Sequence, residues 1–382
     1  MKQIVCLATS PWYPIPTRKQ QVMSRLPDAE ILYFDPAVSL IAPFKDRSAW
    51  KHLTKYHKKG EQPQPNITVY SLPPVLPFFY KSRFINKLNQ RRAAAFIRKK
   101  MQQHGFTDPL LWVYSPVCCD VVDKLPHSAL VYDCVDRHSA YGGLMDPGLV
   151  DAMELELTKK CDHVFATAQP LAERLAAVNE HTTFIPNGAN YDRFVQAAEK
   201  QPLPEDLKDI PHPLFGFVGA LQPCVEYGFV EAAAAAHPDW SFVFIGGEKP
   251  GAKLDALRTL PNVHFLGLKP NEQLPQYLAH FDACLNLFSD CALSRDVSPL
   301  KFYEYLATGR PIVSTMQPEQ VLQYAPLIQI AANAADFSVK CAESLLDDLP
   351  ERRAVRMEAG RACSWDARVE QMCSILREEG LY

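Results

Sequence analysis

The stretch Asp296-Val-Ser-Pro-Leu-Lys-Phe-Tyr-Glu-Tyr-Leu-Ala-Thr-Gly-Arg-Pro-Ile-Val-Ser-Thr315 decides how the rest of the chain is read. Ser298 is a favoured N-cap residue, and Pro299 suits the first helical position because its fixed φ fits a helix and its missing N–H is not needed there. The spacing predicts a helix from this point, ended by Gly309, with Pro311 opening a strand. The free amides and positive dipole end of such a helix favour a diphosphate. Lys301 in the first turn is unfavourable for an isolated helix and makes sense if an anion occupies that end. Glu304 follows one turn later, near enough to accept hydrogen bonds from ribose hydroxyls. A capped helix with two solvated charges has the same spacing, so both readings stay open at this level.

Outward from this stretch, strand and helix patterns alternate. Towards the N-terminus, apolar strands are expected at 3–8, 29–34, 67–72, 110–114, 129–133 and 163–167, with helices at 18–26, 83–104 and 148–160. Residues 194–212 are polar and proline-bearing, a linker by composition. The pattern then restarts, with strands at 214–218, 240–245, 262–266, 283–287, 311–314 and 328–331, and a helix at 227–236. Residues 351–379 read as one helix containing Trp365. Such alternation predicts an α/β fold of two Rossmann-like domains, each a parallel sheet covered on both faces. Ligands of such sheets gather at the carboxyl ends of the strands, in the expected cleft.

Residues 298–315 resemble the donor-nucleotide signature of GT-B fold glycosyltransferases. Within these they are similar to the family 4-like branch that includes bacterial teichuronic-acid and other exopolysaccharide enzymes. Residues 131–139, 184–190, 215–220 and 262–267 agree in order and spacing. The resemblance implies two domains facing across a cleft. Residues 1–193 would bind the acceptor and 194–355 the nucleotide sugar, and a C-terminal helix over 356–382 would pack back towards the first domain. It implies that Glu304 holds the ribose hydroxyls and that Ser298, Leu300 and Lys301 meet the diphosphate. Asp296 stands where many relatives have the first glutamate of an acidic pair. Gly219 would let the backbone approach the donor. No cation follows Gly219, so Lys301 and the helix end would carry more of the phosphate charge. The loop 267–274 is a candidate base site.

The run 133–138 after a predicted strand offers the second set of chemical groups. Asp136 or His138 there could take the proton of an acceptor hydroxyl as it attacks the anomeric carbon, and in extended chain the two share one side. Asp133 and Asp136 could equally cap a helix or pair with Arg137. Trp12, Tyr13, Arg18, Lys19 and Gln21 fall after the first strand, where acceptor contacts are expected. Asn187-Gly188 reads as a tight turn at the domain junction, and Glu154 and Glu156 as solvated. No Asp-x-Asp occurs, so no metal and no cofactor are expected beyond a nucleotide-sugar co-substrate, which is expected to be uridine-linked.

At 382 residues the chain exceeds what one core usually serves. No apolar run reaches the roughly 20 residues of a membrane span. The 11 cysteines contain no C-x-x-C pair, which suits free thiols in a reducing cytoplasm. Residues 1–195 carry 24 Lys+Arg against 18 Asp+Glu, and the remainder 16 against 25. Residues 41–100 alone carry 14 Lys+Arg with Asp46 and Glu61 in opposition. Within them the apolar run 72–80 precedes a basic helix, and residues 72–100 could settle on an anionic membrane surface, placing the protein peripherally on the inner face of the cell membrane. No nucleic-acid motif accompanies the charge. A lipid-linked or cell-surface glycan is the acceptor this implies. A nucleotide-sugar 2-epimerase and a non-catalytic binding subunit of the same fold are the competing readings.

Overall fold

The computed structural model describes residues 1–382 apart from 15, 58 and 141–144, and at 45, 48, 52, 292 and 293 the backbone alone. Two compact units emerge. One comprises Met1–Pro186 with Val369–Tyr382, the other Asn187–Arg368.

The first unit is built on eight strands: β1 (Lys2–Leu7), β2 (Ala29–Asp35), β3 (Glu61–Gln64), β4 (Ile67–Ser71), β5 (Leu110–Val113), β6 (Ala129–Cys134), β7 (His163–Ala166) and β8 (Thr182–Phe184). Their order in the sheet is β3-β4-β2-β1-β5-β6-β7-β8. Every pairing is parallel except β3 with β4, where the chain adds one antiparallel edge. The inner strands are buried on both faces, which is why they read as continuous apolar runs rather than alternating ones. β3 and β8 were not anticipated, being short and polar.

The second unit has six parallel strands: β9 (Leu214–Val218), β10 (Ser241–Ile245), β11 (Val263–Gly267), β12 (Ala283–Asn286), β13 (Ile312–Thr315) and β14 (Gln329–Ala331). Their order, β11-β10-β9-β12-β13-β14, is the Rossmann order 3-2-1-4-5-6 counted from β9. The chain reverses direction across the sheet between β9 and β12, and the crevice at such a switch point is the place for a ligand. The helix Leu300–Thr308 lies on the crossover from β12 to β13.

Three boundaries differ from those expected. The units part at Pro186/Asn187 rather than 193/194. Residues 194–212 are no linker: Phe194, Ala197 and Leu207 are buried in the second core. Residues 351–379 form two helices, Pro350–Ala362 and Trp365–Glu378, with Trp365 opening the second. The break is tertiary. Ala189 donates its N–H to Cys363 O at 3.0 Å and accepts from Trp365 N at 2.9 Å. Helical geometry cannot supply those partners. Residues from Val369 group with the first unit. There Glu379 accepts from His163 and His181 at 2.8 and 3.0 Å, and the Tyr382 hydroxyl donates to Pro27 O at 2.5 Å.

The helix Leu300–Thr308 is held tightly against Pro350–Ala362. A Cβ at Gly360 would lie 2.5 Å from Ala307 N and 2.8 Å from Leu306 C, so the two backbones touch there. Buried Arg356 donates to Gly309 O and Leu327 O at 3.0 Å each, closing the carboxyl end of the first helix. Gly309 takes the left-handed conformation, with φ 73°, and ends that helix as its position demands. Gly360→Ala gains up to about 1 kcal/mol of helix propensity but overpacks rigid backbone at a cost of about 1–3 kcal/mol. Urea denaturation of this variant should show a net loss of stability, and a gain would contradict the contact.

Candidate functional site

Glu304 sits in the middle of the Leu300–Thr308 helix and is only 5% exposed. Burial pushes its carboxyl above the ordinary glutamate range, and Lys301 and Arg193 pull it back. Lys301, one turn earlier and half-buried, donates to the Glu304 carboxylate at 2.6 Å. The two charges expected to act separately are therefore paired, and neither is simply solvated. Lys301 Nζ also lies 5.7 Å over the Phe194 ring.

Ser298 does not cap the helix. Pro299 is the N-cap residue and Leu300 the first helical one. The Ser298 hydroxyl instead accepts from Asn187 N at 2.9 Å, and its carbonyl from Asn187 Nδ2 at 3.0 Å. The junction turn and the helix entry are thus one structure, which gives Asn187 a definite role. A Cβ at Gly188 would come within 2.9 Å of Cys363 O, so the turn has room for glycine alone. Gln320 fixes the preceding residue by donating to Val297 O at 2.6 Å. Asp296 is buried at the start of the same loop. Leu300 and Lys301 have their amides in the first turn of the helix, before the i→i−4 ladder begins.

Gly219 follows β9 and donates its N–H to Ile245 O at 2.9 Å. Its steric demand is modest, an added Cβ meeting the Phe217 ring at 3.1 Å. The close backbone approach falls on Gly246, with φ 157°, where a Cβ would stand 1.8 Å from Gly219 O. Gly246 was missed in the sequence, although it opens a Gly-Gly pair directly after a strand. In the loop 267–274, Lys269 is tied to Asp206 at 2.5 Å.

In the first unit, Asp136 and His138 follow β6. The chain there bends at Asp136 and enters a 3-10 turn at His138, so the two are not in extended chain. They nonetheless line one cavity of about 320 Å³, together with Thr9, Ser10, Lys19 and Tyr80. Burial holds His138 below the ordinary imidazole range against the opposing pull of Glu154 and Asp136. Burial also lowers Lys19, with Asp136 and Asp133 opposing. An imidazole, a carboxyl and a desolvated amine around one cavity are groups that can move a proton from a bound hydroxyl.

Asp133 is not part of that cavity. It is fully buried and receives Arg18 Nε at 2.9 and 3.0 Å, while Arg18 also donates to Pro186 O at 3.0 Å. Arg18 is therefore structural rather than an acceptor contact. Trp12 donates its N–H to Asp35 at 2.8 Å and packs edge-on to Tyr33, and Tyr13 is exposed. Glu154, expected in solvent, is buried; it accepts from the Tyr132 hydroxyl at 2.6 Å and is bonded to Arg174. Glu156 bridges Arg83 and Lys160 at 2.7 and 3.1 Å. Among the described residues Cys119, Asp120 and Glu156 form one grouping of metal-ligand types, and those two cations already neutralise its carboxylates.

Two Rossmann-like domains with these strand ends define the GT-B class. Residues 212–348, which contain Glu304 and its helix, match the family model described as Glycosyl transferases group 1, so this part of the chain is a glycosyltransferase group 1 domain. The chain is 24% identical over 260 residues to TuaH of Bacillus subtilis (strain 168), whose name assigns it to teichuronic acid biosynthesis as a glycosyltransferase; the alignment covers 64% of this chain and 65% of that relative, just under two thirds. Among solved structures, the fold matches sucrose-phosphate synthase from Thermosynechococcus elongatus with a TM-score of 0.67, at 16% identity over 99% of both chains. It also matches Anabaena HepE in complex with UDP and glucose, with a TM-score of 0.61 at 14% identity over 99% of this chain and 100% of that one.

The raised carboxyl of Glu304 makes stability depend on pH. A folded-state value above the unfolded one contributes stability that is complete below the ordinary glutamate range and is lost as pH rises through the raised value. Glu304→Gln should flatten that dependence, remaining at least as stable as the parent at pH 8 in urea titrations run at pH 5 and pH 8. A parallel shift of both curves would contradict the desolvation argument.

Proposed function

We propose that the protein is a hexosyltransferase that moves a sugar from a nucleotide-sugar donor, uridine-linked in the first instance, to a cell-surface or lipid-linked glycan acceptor without a metal ion. The observation that carries this reading is Glu304, a buried carboxylate one turn into the helix that follows the switch point of the second sheet. A carboxylate is an acceptor-only group when ionised, which suits the paired hydroxyls of a ribose. Leu300 and Lys301 offer the helix-start amides to the diphosphate, with Ser298 and Asp296 shaping the loop before them and Gly219 at the neighbouring strand end. Donor binding draws Lys301 towards the phosphates, so that Glu304 exchanges its ammonium partner for hydroxyl donors. A cation and helix amides supply the charge that a metal would otherwise supply to the leaving diphosphate.

Asp136 is the general base in this reading, with His138 as the alternative base or as a hydrogen-bond partner of the sugar. The acceptor belongs to the first unit, and residues 72–100 rest on an anionic membrane surface at the cytoplasmic face. Among the described residues no helix is long and apolar enough to cross a membrane, so attachment would be peripheral through that segment.

Titration calorimetry with UDP tests the donor half. Glu304→Ala should weaken binding at least tenfold, and EDTA should leave the parent's affinity unchanged; equal affinities for parent and variant would remove the basis of the assignment. For the surface half, the full chain should sediment with vesicles containing phosphatidylglycerol and stay in solution with phosphatidylcholine alone, the difference fading above about 0.5 M salt as charges are screened.

A further inference from the structure

The Asp136–His138 cavity has an apolar neighbour. A second cavity of about 140 Å³ opens at the carboxyl ends of β4, β2, β1 and β5, where Leu7, Leu72 and Val117 meet Ala93 and Ile97 of the helix Arg83–Gln103. Thr9 and Tyr80 line both cavities, so the two share a wall. Phe79 and Tyr80 belong in turn to a third depression of about 210 Å³ with Ile41 and Pro77. The row runs from a polar end to an apolar one.

The lining is mainly apolar, and the Asn89 side chain on its wall is already committed, accepting from Leu76 N at 2.9 Å and donating to Leu76 O at 3.0 Å. Protein interiors seldom keep voids of this size, and an apolar recess continuous with a polar one is the usual shape of a ligand site. The outer end is equally unusual. Phe78 takes φ 64°, which a bulky residue adopts only at a cost, and stands half-exposed. Phe44 and Phe84 are 82% and 78% exposed. Lys87, Arg91 and Arg92 continue the exposed face of the helix that bears Phe84.

We propose that this row binds the hydrocarbon tail of a lipid-phosphate-linked acceptor. The acceptor's hydroxyl lies at Asp136 and His138, its phosphate faces Lys19, and the first carbons of the tail fill the cavity between Leu7 and Ile97. The tail leaves past Phe78 to a surface whose aromatic and basic residues match the interface of an anionic bilayer. This rests on the lipid-linked option of the proposed function and selects it over a free glycan. A free glycan has no use for the apolar recess.

The probe is an undecyl phosphate carrying a dansyl group at its far end, read by fluorescence with the full chain in detergent-free buffer. Binding should saturate and be displaced by decyl phosphate at least tenfold more effectively than by butyl phosphate. Inorganic phosphate should displace little. Ala37→Trp, which fills the recess from the loop after β2, should weaken the probe at least tenfold, while the thermal shift produced by UDP stays that of the parent. Should that variant fail to fold, Ala93→Leu fills the opposite wall and should have the same effect. Displacement that ignores chain length, or a filled recess that still binds the probe at parental affinity, overturns the proposal. Loss of the UDP shift in the parent, with the probe still bound, would count against the donor reading instead.

Discussion

A carboxylate held out of water is the constraint around which the second unit is arranged. Burying Glu304 costs free energy that an apolar residue would not, and Lys301 offsets only part of it. Such a residue keeps its place only on a rigid support. The backbone contact at Gly360, the Arg356 guanidinium on Gly309, and the Asn187–Ser298 hydrogen bonds provide that support from three sides. These contacts brace the helix that carries the buried carboxylate at its middle, its end and its entry.

The first unit distributes its charges by a different rule. Arg18 is paired with buried Asp133, and Arg174 and Tyr132 both bond to buried Glu154. Breaking one partner of such a pair leaves a buried charge, a loss on the order of 3–5 kcal/mol. Lys19, Asp136 and His138 line the cavity at the sheet's carboxyl edge. Glu154 also acts at a distance, its negative charge opposing the effect of burial on His138.

The two sheets use the same topological device for different ends. Each reverses strand order beside its first strand, and each gathers loops at that point. In the second sheet the loops end in glycine and in a helix start, surfaces suited to a nucleotide. In the first they end in Leu7–Thr9, Ser115 and Val117, which leave an apolar recess beside a polar cavity.

Much of this was legible in the amino-acid order. Apolar runs and helix-length spacers define most of the strands because a strand in a covered parallel sheet must be apolar on both faces. Gly309 marks the helix end because its backbone takes a positive φ. Lys301 and Glu304 were visible in the first turns of a predicted helix, and Asp136 and His138 as polar residues following a predicted strand. What the sequence could not disclose were partners far apart along the chain. Ser298 looked like a cap and proved to be an acceptor for Asn187, 111 residues away. Asp133 read as a helix cap or a partner of Arg137 and proved to belong to Arg18, and Glu154 looked solvated and proved buried. The helix break at Ser364 depends on a bridge to Ala189. Local pattern determines which elements form, since periodicity and turn chemistry act within a few residues. Charge state, burial and hydrogen-bond partner depend on what folding brings alongside, and only the tertiary structure decides them.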